Sequence, residues 1–80
     1  MIAGLDGTLE QINTDSAIIK VSGVSFHVYT PASTLGELGS IGDRVCLHTY
    51  LHWKEDSTAL YGFTTSQELD LFKMLIGVSG

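Results

Sequence analysis

The stretch Val45-Cys46-Leu47-His48-Thr49-Tyr50-Leu51-His52-Trp53-Lys54-Glu55-Asp56-Ser57-Thr58-Ala59-Leu60-Tyr61-Gly62-Phe63 decides the fold. Two apolar runs, Val45 to Trp53 and Ala59 to Phe63, flank the polar break Lys54-Glu55-Asp56-Ser57. That pattern predicts an antiparallel hairpin whose tip points away from the core. In the first run Val45, Leu47, Thr49, Leu51 and Trp53 fall on one side, with Cys46, His48, Tyr50 and His52 on the other. The mixed second side is expected to be partly exposed or to face a partner. The tip carries two adjacent carboxylates, and a tip is the part least needed for packing, so its residues are free to serve function or solubility.

Working outward, the chain before this hairpin reads as three more strands. Ile2 to Ile12 holds Leu5, Leu9 and Ile12 among Gly4, Gly7 and Thr8, a pattern that favours a strand bent at its glycines over an uncapped helix. Asn13-Thr14-Asp15-Ser16 is a turn, since each side chain can hydrogen-bond its own nearby backbone. Ala17 to Val21 is β-branched, Ser22-Gly23 forms a two-residue turn, and Val24 to Tyr29 alternates at period two. Val24, Phe26 and Val28 share the face expected to be core. Pro31 ends that strand because it cannot donate to a ladder. Ala32 to Leu38 has room for one or two helical turns, and Gly39 to Asp43 is a loop.

After Phe63 the period changes. Thr65-Ser66-Gln67-Glu68 matches a capping box, and Leu69, Phe72, Leu75 and Ile76 mark one face of a helix reaching about Ile76, widened by Leu71 and Met74. The expected fold is therefore all-β: a five-stranded OB-fold Greek-key barrel over residues 1–64, followed by one C-terminal α-helix over 65–80. The closing Gly77-Val78-Ser79-Gly80, with no terminal strand or tail, reads as a cut, so further domains are expected beyond it.

Composition limits the function. A hydrophobic fraction of 44% places the 80 residues among globular chains and not disordered ones. Nine acidic and four basic residues give a net charge of −5, which repels nucleic acid at long range and offers anionic lipid no attraction. Cys46 is the only cysteine, so no internal disulfide can form, and its apolar surroundings suggest a small core residue. No signal sequence or membrane-length apolar run is present, and the chain reads as soluble and cytoplasmic. His48 and His52 would share a metal on a helix, but on a strand their Cα atoms lie roughly 13 Å apart. Glu55 and Asp56 lack the burial that separates the pKa values of a catalytic pair. No phosphate-binding glycine loop occurs. Catalytic residues, metal ligands and cofactor sites are therefore expected to be absent. Tyr29, Tyr50, Trp53, Tyr61, Phe26 and Phe63 could form a base-stacking platform, though core packing accounts for most of them.

Several stretches together carry a family resemblance: Met1-Ile2 with Leu5 and Gly7-Thr8; Val21-Ser22-Gly23-Val24 with His27-Val28; Leu47-His48-Thr49; Lys54-Glu55-Asp56; Leu60-Tyr61-Gly62-Phe63; Glu68 with Leu71-Phe72 and Leu75-Ile76; and Val78-Ser79-Gly80. The whole chain resembles the N-terminal domain of the RuvA family, the Holliday-junction-binding subunits of the bacterial branch migration complex. The resemblance implies an OB-fold barrel that assembles as a homotetramer and works in recombination, DNA repair and the SOS response. It also implies a second domain of helix-hairpin-helix motifs that grips four-way junction DNA, and a third that engages a hexameric ATPase motor. On this chain the family's acidic pin falls on Glu55 and Asp56, with Lys54 as its flanking basic residue. There are departures: Gly4 and Asp6 stand where relatives commonly carry arginines, Lys54 replaces a frequent arginine, and Trp53 is bulkier than the usual β-branched residue. An OB-type protein-interaction module with no direct DNA role is the alternative reading.

Overall fold

The computed structural model describes residues 2–77. Met1 and Val78-Ser79-Gly80, which contribute to the family resemblance, lie outside the described residues. Five strands, β1 (Gly4–Ile12), β2 (Ser16–Val21), β3 (Val24–Tyr29), β4 (Arg44–Trp53) and β5 (Thr58–Phe63), close into a barrel in the order β1-β2-β3-β5-β4. A one-turn helix α1 (Ala32–Leu35) sits between β3 and β4, and α2 (Ser66–Leu75) follows β5. Every neighbouring pair is antiparallel except β3–β5, which pairs in parallel at Val28↔Leu60 and Tyr29↔Tyr61. This is the OB-fold expected from the sequence.

Two local devices let so short a chain close. The β1–β2 register shifts between Leu9 and Gln11, so Glu10 is the extra residue of a bulge that bends β1 into both neighbours. Gly7, on the same strand, passes so close to β2 that a Cβ there would strike the Lys20 carbonyl oxygen and the Val21 side chain. The bend expected from the glycines is thus a bulge together with a close approach. The β2–β3 turn is the one expected: Ser22 (φ 49°) and Gly23 (φ 85°) both occupy positive φ between Val21 and Val24. That is the requirement of a type I′ turn, whose twist matches the strands it joins.

Leu5, Leu9, Ala17, Ile19, Val28, Leu38, Val45, Leu47 and Leu60 form the core, with Ile2, Val21, Phe26, Leu35 and Leu51 packed against it. α1 places Leu35 against this cluster and buries Thr34 fully, and Leu38, three residues past its end, enters the core itself. Val24 shares the inward row of β3 but is 54% exposed, because it lies at the turn, beyond the covered part of the barrel. Cys46 corrects the sequence reading: it is exposed. It falls between inward-facing Val45 and Leu47, so strand alternation turns it outward despite its apolar neighbours. Among the described residues no helix is long and apolar enough to cross a membrane.

Candidate functional site

β4 runs ten residues, longer than any other strand, and its two edges end at different heights. On one edge β1 stops at Gly4↔His48, extended by one bond from the Thr49 amide to the Ala3 carbonyl (3.0 Å). On the other, β5 follows it to Trp53↔Thr58. Beyond Thr49, therefore, β4 bonds only to β5; β5 stays paired with β3 at Leu60 and Tyr61, opposite Leu51 and Tyr50, and from His52 and Ala59 onward the pair leaves the barrel as a two-stranded ribbon. The Lys54 amide donates to the Ser57 carbonyl at 2.8 Å, which leaves Glu55 and Asp56 as the two residues of the loop. Trp53 through Thr58 are all exposed.

Neither Glu55 nor Asp56 has positive φ, so this turn is not of the primed type used at Ser22-Gly23. The ion pairs found among the described residues are Asp6–Arg44 at 2.8 Å and Glu10–Lys20 at 4.0 Å. Neither involves the tip, whose carboxylates face solvent. The structure thus brings Lys54, Glu55 and Asp56 together at the far end of the ribbon.

Behind the tip, α2 lies against the outer side of β4 and β5. Thr65 caps the helix by accepting the Glu68 amide at 3.2 Å. The Glu68 carboxylate reaches back as a capping box does, but it accepts from the Thr65 hydroxyl (3.0 Å) instead of the cap's amide. The Thr64 hydroxyl lies 2.9 Å from Glu37 and 3.2 Å from Glu68, and its single proton serves one at a time. Phe72 is the hub of the contact, with ring centroids 4.8 Å from Tyr61, 5.2 Å from Phe63 and 6.3 Å from Tyr50. His52 and Tyr29 extend this belt through Tyr61, and the Lys73 ammonium sits 5.8 Å above the Tyr50 ring. His27 tilts against Tyr29 and exchanges a hydrogen bond with Ser16 at 2.9 Å. The aromatic residues expected on a platform therefore divide: most belong to this belt or the core, and Trp53 stands apart at the ribbon's end.

The sequence reading did not anticipate how little of α2 is covered. Only Leu69 is buried, while Leu71, Met74, Leu75 and Ile76 are exposed. Leu75 and Ile76 carried the expected inner face, but the helix leaves the barrel before they reach it. An apolar depression of about 300 Å³, lined by Asp15, Tyr29, Thr30, Pro31, Tyr61, Phe63 and Phe72, opens beside it. The Thr30 hydroxyl in its wall has no hydrogen-bond partner. The sequence also gave no sign that Asp6 pairs with Arg44, since those residues meet only through the β1–β4 register, where Asp6 faces Cys46 and Thr8 faces Arg44.

Residues 1–62 match the family described as the RuvA N terminal domain. The whole chain is 49% identical to a Holliday junction branch migration complex subunit RuvA from Dehalococcoides mccartyi, of which it covers 41%. It is 50% identical to the protein of that name from Thermomicrobium roseum, covering 42% of it. For the one from Acetivibrio thermocellus the identity is 44% and the coverage 40%. The chain thus spans about two fifths of the length of the curated relatives it matches. With a family match over most of its length, a barrel of the expected topology and a Lys-Glu-Asp hairpin tip, this chain belongs to the RuvA family, through that family's N-terminal domain.

Proposed function

We propose that this chain is the barrel portion of a subunit that binds four-way junction DNA and holds the crossover open while a partner motor drives branch migration. One observation carries the reading. A chain matched along its full length to proteins named as branch migration complex subunits exposes two adjacent carboxylates at the end of a ribbon standing clear of its barrel. Glu55 and Asp56 act as a repulsive pin, with Lys54 beside them. A carboxylate and a phosphate roughly 8 Å apart repel by about 0.5 kcal/mol in water and about 2 kcal/mol at an effective dielectric of 20. Salt screens this over roughly 8 Å, so only phosphates near the tip feel it strongly. Such repulsion is too weak to prevent binding and strong enough to bias strand paths at a crossover.

Assembly multiplies the effect. In a homotetramer the two carboxylates of each chain would meet their copies around one axis. The phosphate grip belongs to a second, helix-hairpin-helix domain, and the hexameric ATPase motor is engaged through a third. The chain itself performs no catalysis in this scheme. In the complete protein, Glu55→Gln combined with Asp56→Asn should alter branch-migration rate or junction conformation with little change in junction affinity. A large loss of affinity would contradict the pin.

The exposed apolar side of α2 favours a second reading, an OB-type module that binds only protein. Extending the reading frame past Gly80 separates the two. Glycine-rich helix-hairpin-helix motifs there support the junction-binding subunit, and their absence supports the protein-only module.

A further inference from the structure

The inward row of β4 outruns its barrel. Val45, Leu47 and Thr49 are 8%, 1% and 3% exposed, Leu51 is half-buried, and Trp53, next in the row, is 70% exposed. A residue in core register has thus been carried past the end of the core. Trp53 takes part in no aromatic pair among the described residues. Lys54, one residue on, turns to the other side of the ribbon, where it lines a depression with His52, Tyr61, Phe72 and Ile76. The indole is therefore left bare, two residues or roughly 7 Å of strand from Glu55.

From this geometry we infer that Trp53 is a stacking residue for an unpaired or unstacked base at the crossover of a four-way junction. The inference rests on the junction-binding reading and deepens it. Carboxylates at the tip repel phosphates, so a strand drawn close to the ribbon's end is favoured with its bases, not its backbone, toward the protein. An indole face stacks on any base without reading its identity, which suits a crossover whose sequence changes as it moves. A second copy of the chain is the competing occupant. Sedimentation of Trp53→Val separates that occupant from the base.

The test uses the complete protein and a four-way junction carrying 2-aminopurine either at the crossover or in the middle of an arm. Because Trp53 is mostly exposed, Trp53→Val and Trp53→Phe should both fold, which thermal melting checks. Wild type and Trp53→Phe should change the fluorescence of the crossover probe and leave the mid-arm probe alone. Trp53→Val should lose the crossover response and bind the junction about tenfold more weakly, as expected for one lost base–aromatic stack. An unchanged crossover signal and affinity in Trp53→Val would overturn the inference while leaving junction binding intact. A smaller assembly of Trp53→Val in sedimentation would assign the indole to a contact between copies and also overturn it. Failure of the wild-type protein to bind the junction at all would remove the functional reading together with the inference.

Discussion

Gly62 and Cys46 show how the same strand pattern can be right about direction and silent about space. Gly62 is buried on β5, and a Cβ built there would lie 2.6 Å from Val28 Cγ1 and 3.2 Å from Leu47 Cδ1. The position is thus a packing constraint between three strands, because its neighbours belong to the closed core. Gly62→Ala should destabilise the fold by about 1–3 kcal/mol, the usual range for overpacking, read as a lower urea midpoint at unchanged slope. By contrast, Glu55→Gln with Asp56→Asn should shift stability by no more than about 0.5 kcal/mol, since both residues are exposed and unpaired by any ion pair found among the described residues. A larger loss in thermal melting would mean the tip holds structure and not only charge. Cys46 is the instructive miss. Its apolar neighbours suggested burial, yet the alternation that placed it beside His48 and Tyr50 already pointed outward, and geometry outweighed composition.

At the scale of elements, strands and turns were legible because their signals are local. The β2–β3 hairpin followed from Ser22-Gly23, the β4–β5 hairpin from two apolar runs around a charged tip, and α2 from Thr65 and Glu68. What the sequence could not supply was how far each element stays in contact. Whether β4 outlasts β1 depends on where β1 begins to pair, and whether Leu75 is covered depends on the angle at which α2 leaves β5. Those are tertiary facts, which is why the tip was found and the bare side of α2 was not. The docking of α2 rests on Phe72, half-buried among Tyr50, Tyr61 and Phe63. Phe72→Ala should therefore cost about 2 kcal/mol, less than the 3–5 kcal/mol of a fully buried ring. It should act by freeing α2, so amide exchange would quicken in residues 66–75 while the Leu9, Ile19 and Leu47 amides stay protected. Uniform loss of protection would instead make α2 part of the barrel's own cooperative unit.

Across the whole molecule, charge decides what the barrel can do by itself. Nine acidic residues face four basic ones, and the basic ones are largely occupied. Arg44 pairs with Asp6, Lys20 lies at the edge of contact with Glu10, and Lys73 sits over Tyr50. That leaves Lys54 as the cation best placed to meet a phosphate, next to two carboxylates that oppose it. Each neutralised phosphate contributes a slope of about −0.9 to log K against log salt on duplex DNA, so strong binding needs several such contacts. These 80 residues alone should give a shallow slope, near zero or −1, and should not retard a four-way junction at low micromolar concentration in about 150 mM salt. A gel shift across a salt series measures both quantities. Tight binding with a steep slope would show that the barrel grips the backbone itself, contrary to a division of labour in which the grip lies in another part of the protein and this part supplies the wedge.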